Sequence, residues 1–194
     1  MTDLLHLPYL LRLARATLSD PRAGARHIIA LNLPRGILMQ FYLLELVLSA
    51  MSSVVFLTLA ATPDQGAVPP DVAIFYTAFE GLIGLVIAFG TYRIGQAFGG
   101  SGRFEHAFAL IIWTQFILLC FSVLQIGVLV VLPPLTDVVS IAALALFFWL
   151  LVNFVAELHG FRSLGLVFVG IIASLVGLAI LLSILLSALG LRIV

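Results

Sequence analysis

Two glutamates lie deep inside long apolar stretches of this sequence, where an ionisable side chain is costly. Glu45 is nine residues into an apolar run that begins at Gly36, and Glu80 lies at a similar depth in the next run. At 1.5 Å per residue both carboxyls fall about 13 Å into a ~30 Å hydrocarbon core. A carboxyl at that depth is stable only when it is paired, hydrated or neutral, so each is a functional candidate.

The neighbours of the two glutamates favour burial between helices over exposure to lipid. Glu45 shares a helical stripe with Ser49 and Ser52. Glu80 precedes Gly84 and Ala88, whose spacing lets another helix approach closely. No Lys or Arg occurs at this depth, so we expect neutral carboxylic acids hydrogen-bonded between helices. Two other interpretations stay open: a shared proton or bound cation, and a contact with a lipid headgroup or a partner protein.

A second group of polar residues is predicted at one end of the helices. It combines the start of the third apolar run, the end of the fourth, and the arginines of the connections. Its members are Arg93, Arg103, Glu105, His106, Asn153, Glu157, His159 and Arg162. Asn153 and Glu157 are four residues apart and share a helix face. We expect salt bridges and capped carbonyl groups here, and the alternative is a metal site of two His and two Glu.

Motifs of known enzyme classes are missing from the sequence. It contains no P-loop, no HExxH and no GxSxG. The turn Gly99–Gly102 resembles the GxSG motif of rhomboid-type intramembrane serine proteases, but no His lies deep in a later helix to act as base. Cys120 is the single cysteine, which excludes a cysteine-based zinc site within one chain. We therefore assign no catalytic residue, no cofactor and no metal.

The composition indicates that these residues lie in a membrane. Of the 194 residues 63% are hydrophobic and 9% charged, and the mean hydropathy is +1.26. Soluble domains contain roughly 45–50% apolar and 25% charged residues. Five apolar stretches are long enough to cross a membrane, and backbone in lipid must be helical. They are Gly36–Ala61, Val72–Phe98, Phe104–Leu132, Leu135–Leu158 and Ser163–Leu191. We predict an all-α integral membrane protein with five transmembrane helices.

The nine basic residues are all arginines, and their positions predict the orientation. Five precede the first span, and Arg93, Arg103 and Arg162 fall in or beside the second and fourth connections. This positive-inside pattern indicates a cytoplasmic N-terminus and a periplasmic C-terminus, with Arg192 as the exception. An arginine-only basic set is typical of GC-rich bacterial genes, so we expect the bacterial inner membrane. The formal net charge of zero indicates no nucleic-acid partner.

Residues 1–35 are predicted to form a short amphipathic cytoplasmic segment, and residues 36–194 the membrane domain. The segment has an apolar stripe typical of a helix lying in the headgroup layer. The stripe is Leu4, Leu7, Leu11, Ala14 and Leu18. Asp20 and Pro21 predict the start of a second helix. The alternative to a plain interfacial anchor is a docking site for a partner. The arginines expected to contact anionic lipid are Arg12, Arg15, Arg22 and Arg26.

These features resemble the Yip family of Ypt/Rab-interacting membrane proteins and their bacterial relatives. The resemblance covers about residues 20–190. It rests on the amphipathic N-terminal segment, the first span that begins at Gly36, the Gly-Gly-x-Gly-x-Phe turn at Gly99–Phe104, and five closely spaced helices. The stretch LLVNFVAELHGF at Leu150–Phe161 is similar to the bacterial branch.

The resemblance implies a non-enzymatic protein that organises the membrane or scaffolds and assists other membrane proteins. Its implied partners are membrane lipids and another membrane protein or a second copy of itself. Eukaryotic relatives bind small prenylated GTPases, but residues 1–35 lack the long acidic or aromatic segment that would engage one, so we do not expect that role. The alternative is a transporter of a small solute, ion or lipid that uses Glu45 and Glu80. The lack of a visible inverted repeat weakens this alternative.

Overall fold

The computed structural model describes residues 6–61 and 69–188, which form helices joined by short connections. Two short helices come first, α1 (Leu7–Ser19) and α2 (Pro21–Ala30). A 3₁₀ turn at Pro133–Leu135 precedes the fourth of the five long helices that follow. These long helices are α3 (Arg35–Ala60), α4 (Pro70–Ala97), α5 (Phe104–Val131), α6 (Thr136–His159) and α7 (Leu164–Ala188).

Each of the five long helices is long and apolar enough to cross a membrane. The chain is therefore an all-α integral membrane protein with five transmembrane helices, which confirms the prediction from hydropathy. Observed and predicted helix limits agree within two residues wherever the structure describes both. The predicted end of the last span at Leu191 lies outside the described residues, as does Leu4 of the apolar stripe.

The local sequence explains where several helices begin and end. Asp20 caps α2, because its side chain accepts a hydrogen bond of 2.9 Å from the Ala23 N–H. Pro21 occupies the first turn of α2, where a backbone N–H has no partner within the helix. Gly160 ends α6 with a φ of +72°, a left-handed conformation that residues with a Cβ rarely adopt.

Helix α5 is the centre of the bundle and packs against α3, α4, α6 and α2. The buried core lies in the first half of α5 and the second half of α6, where Phe108, Leu110, Leu150 and Phe154 are almost fully buried. Antiparallel helices bring these two halves to the same end of the bundle. We call it the arginine-rich end: it contains the starts of α3, α5 and α7 and the ends of α4 and α6. Most side chains of α3 and α7 are exposed, as lipid-facing helices require.

Helices α1 and α2 pack on the arginine-rich end against α5 and α6. The Trp113 side chain of α5 donates a 3.1 Å hydrogen bond from Nε1 to Thr17 Oγ1 of α1. Ala25 of α2 has no exposed surface. At Gly24 a Cβ would lie 2.5 Å from Thr17 Oγ1, so α1 and α2 meet at van der Waals distance. The first helices are thus part of the bundle surface.

The face of α1 that meets the protein differs from the leucine stripe identified on the helical wheel. Leu7, Leu11 and Leu18 are exposed, whereas Ala14 and Thr17 are buried. Small residues let α1 approach its neighbours closely, so the buried face is set by Ala14 and Thr17 and not by the larger side chains. The exposed leucines remain available to lipid, and the expectation that α1 lies in the headgroup layer stays a prediction.

Candidate functional site

Polar side chains from three helices meet in the middle of the bundle, where α3, α4 and α5 adjoin. Ser49 of α3 donates a 2.7 Å hydrogen bond from its hydroxyl to Glu80 Oε1 of α4. One turn further along α3, the hydroxyl oxygens of Ser52 and Ser122 are 2.7 Å apart. We call Glu45, Ser49, Ser52, Glu80 and Ser122 the polar seam. It joins three lipid-embedded helices through side-chain hydrogen bonds.

Glu45 is the most buried acidic residue of the seam, with 6% of its surface exposed. Its Oε2 atom has no hydrogen-bond partner among the described residues. One turn before it, the Tyr42 hydroxyl donates to the Gly81 carbonyl of α4. A Cβ at Gly84 would lie 2.9 Å from Gln115 Nε2 and still nearer the Tyr42 hydroxyl, so only glycine lets α4 come this close.

A cleft of about 650 Å³ opens beside the seam between α3 and α4, on the side away from the arginine-rich end. We call it the α3–α4 cleft. Its apolar lining includes Phe56 and Ile83, and its polar wall is formed by Ser52, Ser53, Tyr76, Thr77, Glu80, Ser122 and Gln125. One carboxyl, one amide and five hydroxyls thus line a partly open space at membrane depth, where a polar group without a partner is costly.

The polar cluster predicted at the arginine-rich end divides into separate contacts. Glu105 pairs with Arg35 of α3 at 2.7 Å and with Arg103 at 3.8 Å. His106 Nε2 lies 3.3 Å from Asn32 Oδ1. Asn153 donates from its amide to the Trp149 carbonyl of its own helix at 2.8 Å. Most of these contacts join a member of the predicted cluster to a residue outside it.

Glu157 pairs with an arginine that the sequence assigned to lipid. Arg26 Nη1 of α2 lies 3.3 Å from Glu157 Oε2. Arg22, also on α2, donates to the Phe161 carbonyl at 3.2 Å. Both arginines therefore contact protein, because α2 packs on α6. Arg12 and Arg15 are exposed on α1, and their contact with anionic lipid stays a prediction.

His159 occupies a tight pocket lined by glycines. Its Nε2 donates to the Thr91 carbonyl at 3.0 Å, and its Nδ1 accepts from the Gly102 N–H at 3.2 Å. A carbonyl only accepts and an N–H only donates, so the neutral Nε2–H tautomer satisfies both bonds. A Cβ at Gly95 or Gly100 would overlap the imidazole ring. We call His159, Thr91, Gly95, Gly100 and Gly102 the histidine clasp, which ties the end of α6 to the end of α4.

The metal site considered as an alternative is not assembled in the part of the chain that the structure describes. No group of three His, Cys, Asp or Glu side chains comes together among these residues. The two histidines are engaged elsewhere, His106 with Asn32 and His159 within the clasp. Sequence spacing could not separate these possibilities, because His and Glu serve equally as ligands, ion-pair partners and helix-end contacts.

Several contacts of these sites were not foreseen from the sequence. Nothing in the sequence marked Tyr42 as a contact between helices, because a tyrosine in an apolar helix is typical of an ordinary core residue. The glycines at 95, 100 and 102 were a sequence signal for close packing, because their density near a helix end indicates a close approach of another element. His159, whose ring these glycines accommodate, lies too far along the chain for the sequence to connect it with them.

Comparison with known families identifies the chain. A family model described as the Yip1 domain matches residues 15–185. This chain belongs to the Yip1 family. The matched Yip1 domain begins within α1 and ends within α7, so it includes all of α2, the polar seam and the histidine clasp. No curated protein and no solved structure gives a significant match to this Yip1 protein.

Proposed function

We propose that this Yip1-family chain is a non-enzymatic membrane protein that scaffolds or assists another membrane protein and so organises the membrane around it. The observation that carries the proposal is the α3–α4 cleft, with Glu80 on its polar wall. Polar groups that face hydrocarbon are stabilised when another helix supplies a hydrogen-bond partner. A transmembrane helix with a polar side chain, from a second protein or a second copy, fits this cleft. Family membership supports a role of this kind.

We further propose that the protein lies in the bacterial inner membrane with its arginine-rich end in the cytoplasm. Among the described residues, Arg35, Arg93, Arg103 and Arg162 lie at this end, and so do the arginines of α1 and α2. At the opposite end the described charges are Asp71 and Asp137. This asymmetry favours retention of the arginine-rich end on the cytoplasmic side.

Site-specific photocrosslinking in the native membrane tests the partner proposal. A photoreactive amino acid replaces Ser53, which lines the α3–α4 cleft, and in a matched chain it replaces Val169, an exposed residue of α7 away from the cleft. We expect one defined protein adduct at position 53 and none at position 169. The variant Glu80→Gln should weaken the adduct at position 53, because it replaces a carboxyl oxygen on the wall of the cleft with an amide nitrogen that cannot accept a hydrogen bond.

Two results would contradict the partner proposal. One is an equal yield of adducts at positions 53 and 169, which would indicate random collisions in the membrane. The other is an adduct at position 53 that Glu80→Gln and a second variant, Ser52→Ala, leave unchanged. Thermal unfolding of each purified variant shows whether a lost adduct reflects lost folding.

A second candidate function, transport of a proton or small cation, is favoured by one observation. Glu45 Oε2 is buried and has no hydrogen-bond partner among the described residues, and Glu80 lies on the same polar seam. Two carboxyls near the membrane midplane are the kind of site at which ions pass through a bundle. Transport would use the same polar seam as the scaffold proposal, but it also requires that protons or cations cross the membrane.

Proteoliposomes loaded with a pH-sensitive dye separate the two candidates. Transport predicts that the wild-type chain collapses an imposed proton gradient and that Glu45→Gln stops the collapse. The scaffold proposal predicts a gradient as stable as that of empty liposomes for both chains. Ser174→Ala, which alters a hydroxyl of α7 outside the seam, is the matched control.

A further inference from the structure

A long groove separates α4 from α7 at the arginine-rich end. It encloses about 720 Å³ and is distinct from the α3–α4 cleft, because it uses the last three turns of α4. Its floor is α6, and its walls include Ile87, Phe98, Leu166 and Leu178. Small residues of α4 and α7, Gly90 and Gly170 among them, keep the groove open.

Two arginines lie at one end of this largely apolar groove. Arg93, near the end of α4, and Arg162, just before α7, both line it and are exposed. Neither makes an ion pair or a side-chain hydrogen bond within residues 6–61 and 69–188, unlike Arg22, Arg26, Arg35 and Arg103. Among residues 6–61 and 69–188, no acidic side chain lines the groove. The mouth of the groove therefore has two positive charges without a counter-ion in the described part of the chain.

The groove is longer than the hydrocarbon of one bilayer leaflet along its α7 wall and shorter along its α4 wall. From Arg162 to Leu178 the α7 wall rises roughly 24 Å, and from Arg93 back to Val86 the α4 wall covers roughly 10 Å. One leaflet contributes about 15 Å of hydrocarbon, beyond which lies the headgroup layer. The charged mouth thus lies at headgroup level when the apolar part of the groove lies in hydrocarbon.

We propose that this groove binds one anionic phospholipid. The phosphate lies between Arg93 and Arg162, and an acyl chain lies along α6 between α4 and α7. Guanidinium groups donate paired hydrogen bonds to phosphate oxygens, which accounts for two arginines at the mouth. The apolar walls account for the acyl chain. The site lies apart from the α3–α4 cleft, so an experiment can contradict the lipid proposal without contradicting the partner proposal, and the reverse.

Native mass spectrometry of the delipidated chain tests the lipid site. The chain in nonionic detergent receives equal amounts of phosphatidylglycerol or phosphatidylcholine. We expect one phosphatidylglycerol per chain as the dominant adduct, because its charge is not balanced by the choline group present in phosphatidylcholine. In the double variant Arg93→Gln/Arg162→Gln the phosphatidylglycerol affinity should fall about thirtyfold, as expected for two basic groups near an anionic headgroup. The matched control Arg35→Gln/Arg103→Gln, whose side chains contact Glu105 and do not line the groove, should keep the adduct.

A second pair of variants tests the acyl-chain part of the site without changing charge. A Cβ at Gly170 or at Gly177 meets no atom within 4 Å, and both glycines lie within α7. Gly170 lines the groove and Gly177 does not. Gly170→Leu should fill the groove and remove at least nine-tenths of the adduct, whereas Gly177→Leu should leave it intact.

The proposal is overturned by any of three results. The first is equal binding of phosphatidylglycerol and phosphatidylcholine. The second is an adduct that survives in both the arginine variant and Gly170→Leu. The third is a dimer without bound lipid that Gly170→Leu, and not Gly177→Leu, dissociates, since a second copy would then be the occupant. Circular dichroism of each variant verifies that the helices are intact.

Discussion

At the scale of single residues, glycines determine how closely the helices approach one another. Gly84 admits the Tyr42 hydroxyl, and Gly95 and Gly100 admit the ring of His159. In lipid the hydrophobic effect does not drive helices together, so close backbone approach and interhelical hydrogen bonds supply the stabilisation. The polar seam and the histidine clasp both combine these two features.

We predict that Gly95→Ala destabilises the protein although alanine favours helix formation. Its Cβ would overlap the His159 ring, and overpacking of this kind costs about 1–3 kcal/mol. Gly90→Ala, five residues earlier in α4, is the matched control, because its nearest neighbour would be Ile94 Cδ1 at 3.8 Å. This control should gain up to about 1 kcal/mol from helix propensity. The midpoint of unfolding in SDS measures both, and equal midpoints would contradict a tight clasp.

At the scale of elements, the α1–α2 pair is held by small-residue packing with an ion pair at its edge. Ala25 is fully buried and Thr17 accepts the Trp113 hydrogen bond. The Arg26 side chain, by contrast, is 58% exposed where it meets Glu157. An exposed ion pair contributes about 0–1 kcal/mol, so we attribute the docking of the pair mainly to packing.

We predict that Ala25→Leu releases α2 from α5 and α6, because no space exists for a larger side chain. Trypsin should then cleave at Arg22 and Arg26 about tenfold faster in detergent, as expected when local opening becomes easier. Ala30→Leu, at an exposed position of the same helix, should not change the cleavage rate. Arg26→Ala removes one cleavage site, and cleavage at Arg22 should then change little. A large acceleration at Arg22 in that variant would assign the docking to the ion pair instead.

At the scale of the whole molecule, the described residues are tightly packed and basic at one end of the bundle and contain a cleft in the other half. The buried core and the docked α1–α2 pair lie at the arginine-rich end. The α3–α4 cleft opens toward the other end. The described residues therefore form a densely packed basic end and a half with an accessible cleft, and it is this cleft that we propose to receive a partner helix.

We predict that single cysteines reveal the orientation in intact cells. In a Cys120→Ser background, Asp137→Cys lies in an exposed position at the end of the bundle opposite the arginines, and Ser101→Cys lies in an exposed turn at the arginine-rich end. A membrane-impermeant maleimide should label position 137 directly and position 101 only after permeabilisation. Labelling in the reverse order would place the arginine-rich end outside and contradict the proposed topology.

Much of the fold could be predicted because its determinants are local. Span length and hydropathy determined the five long helices, and Asp20 with Pro21 determined the start of α2. The depth of Glu45 and Glu80 also followed from position along a helix, since rise per residue is fixed. The sequence thus singled out Glu45, Ser49, Ser52 and Glu80 of the polar seam, whereas it did not connect them with Ser122 or with the neighbouring Tyr42.

What the sequence by itself determined is a Yip1-like chain of five membrane-spanning helices with polar residues at known positions along them. Only the tertiary structure decided which of them meet: Ser49 with Glu80, Arg26 with Glu157, and His159 with Thr91. Hydropathy and capping depend on residues a few positions apart, so a sequence displays them directly. Pairing between helices depends on their packing and rotation, which many distant small residues determine jointly, and the same packing leaves Arg93 and Arg162 together at an open groove.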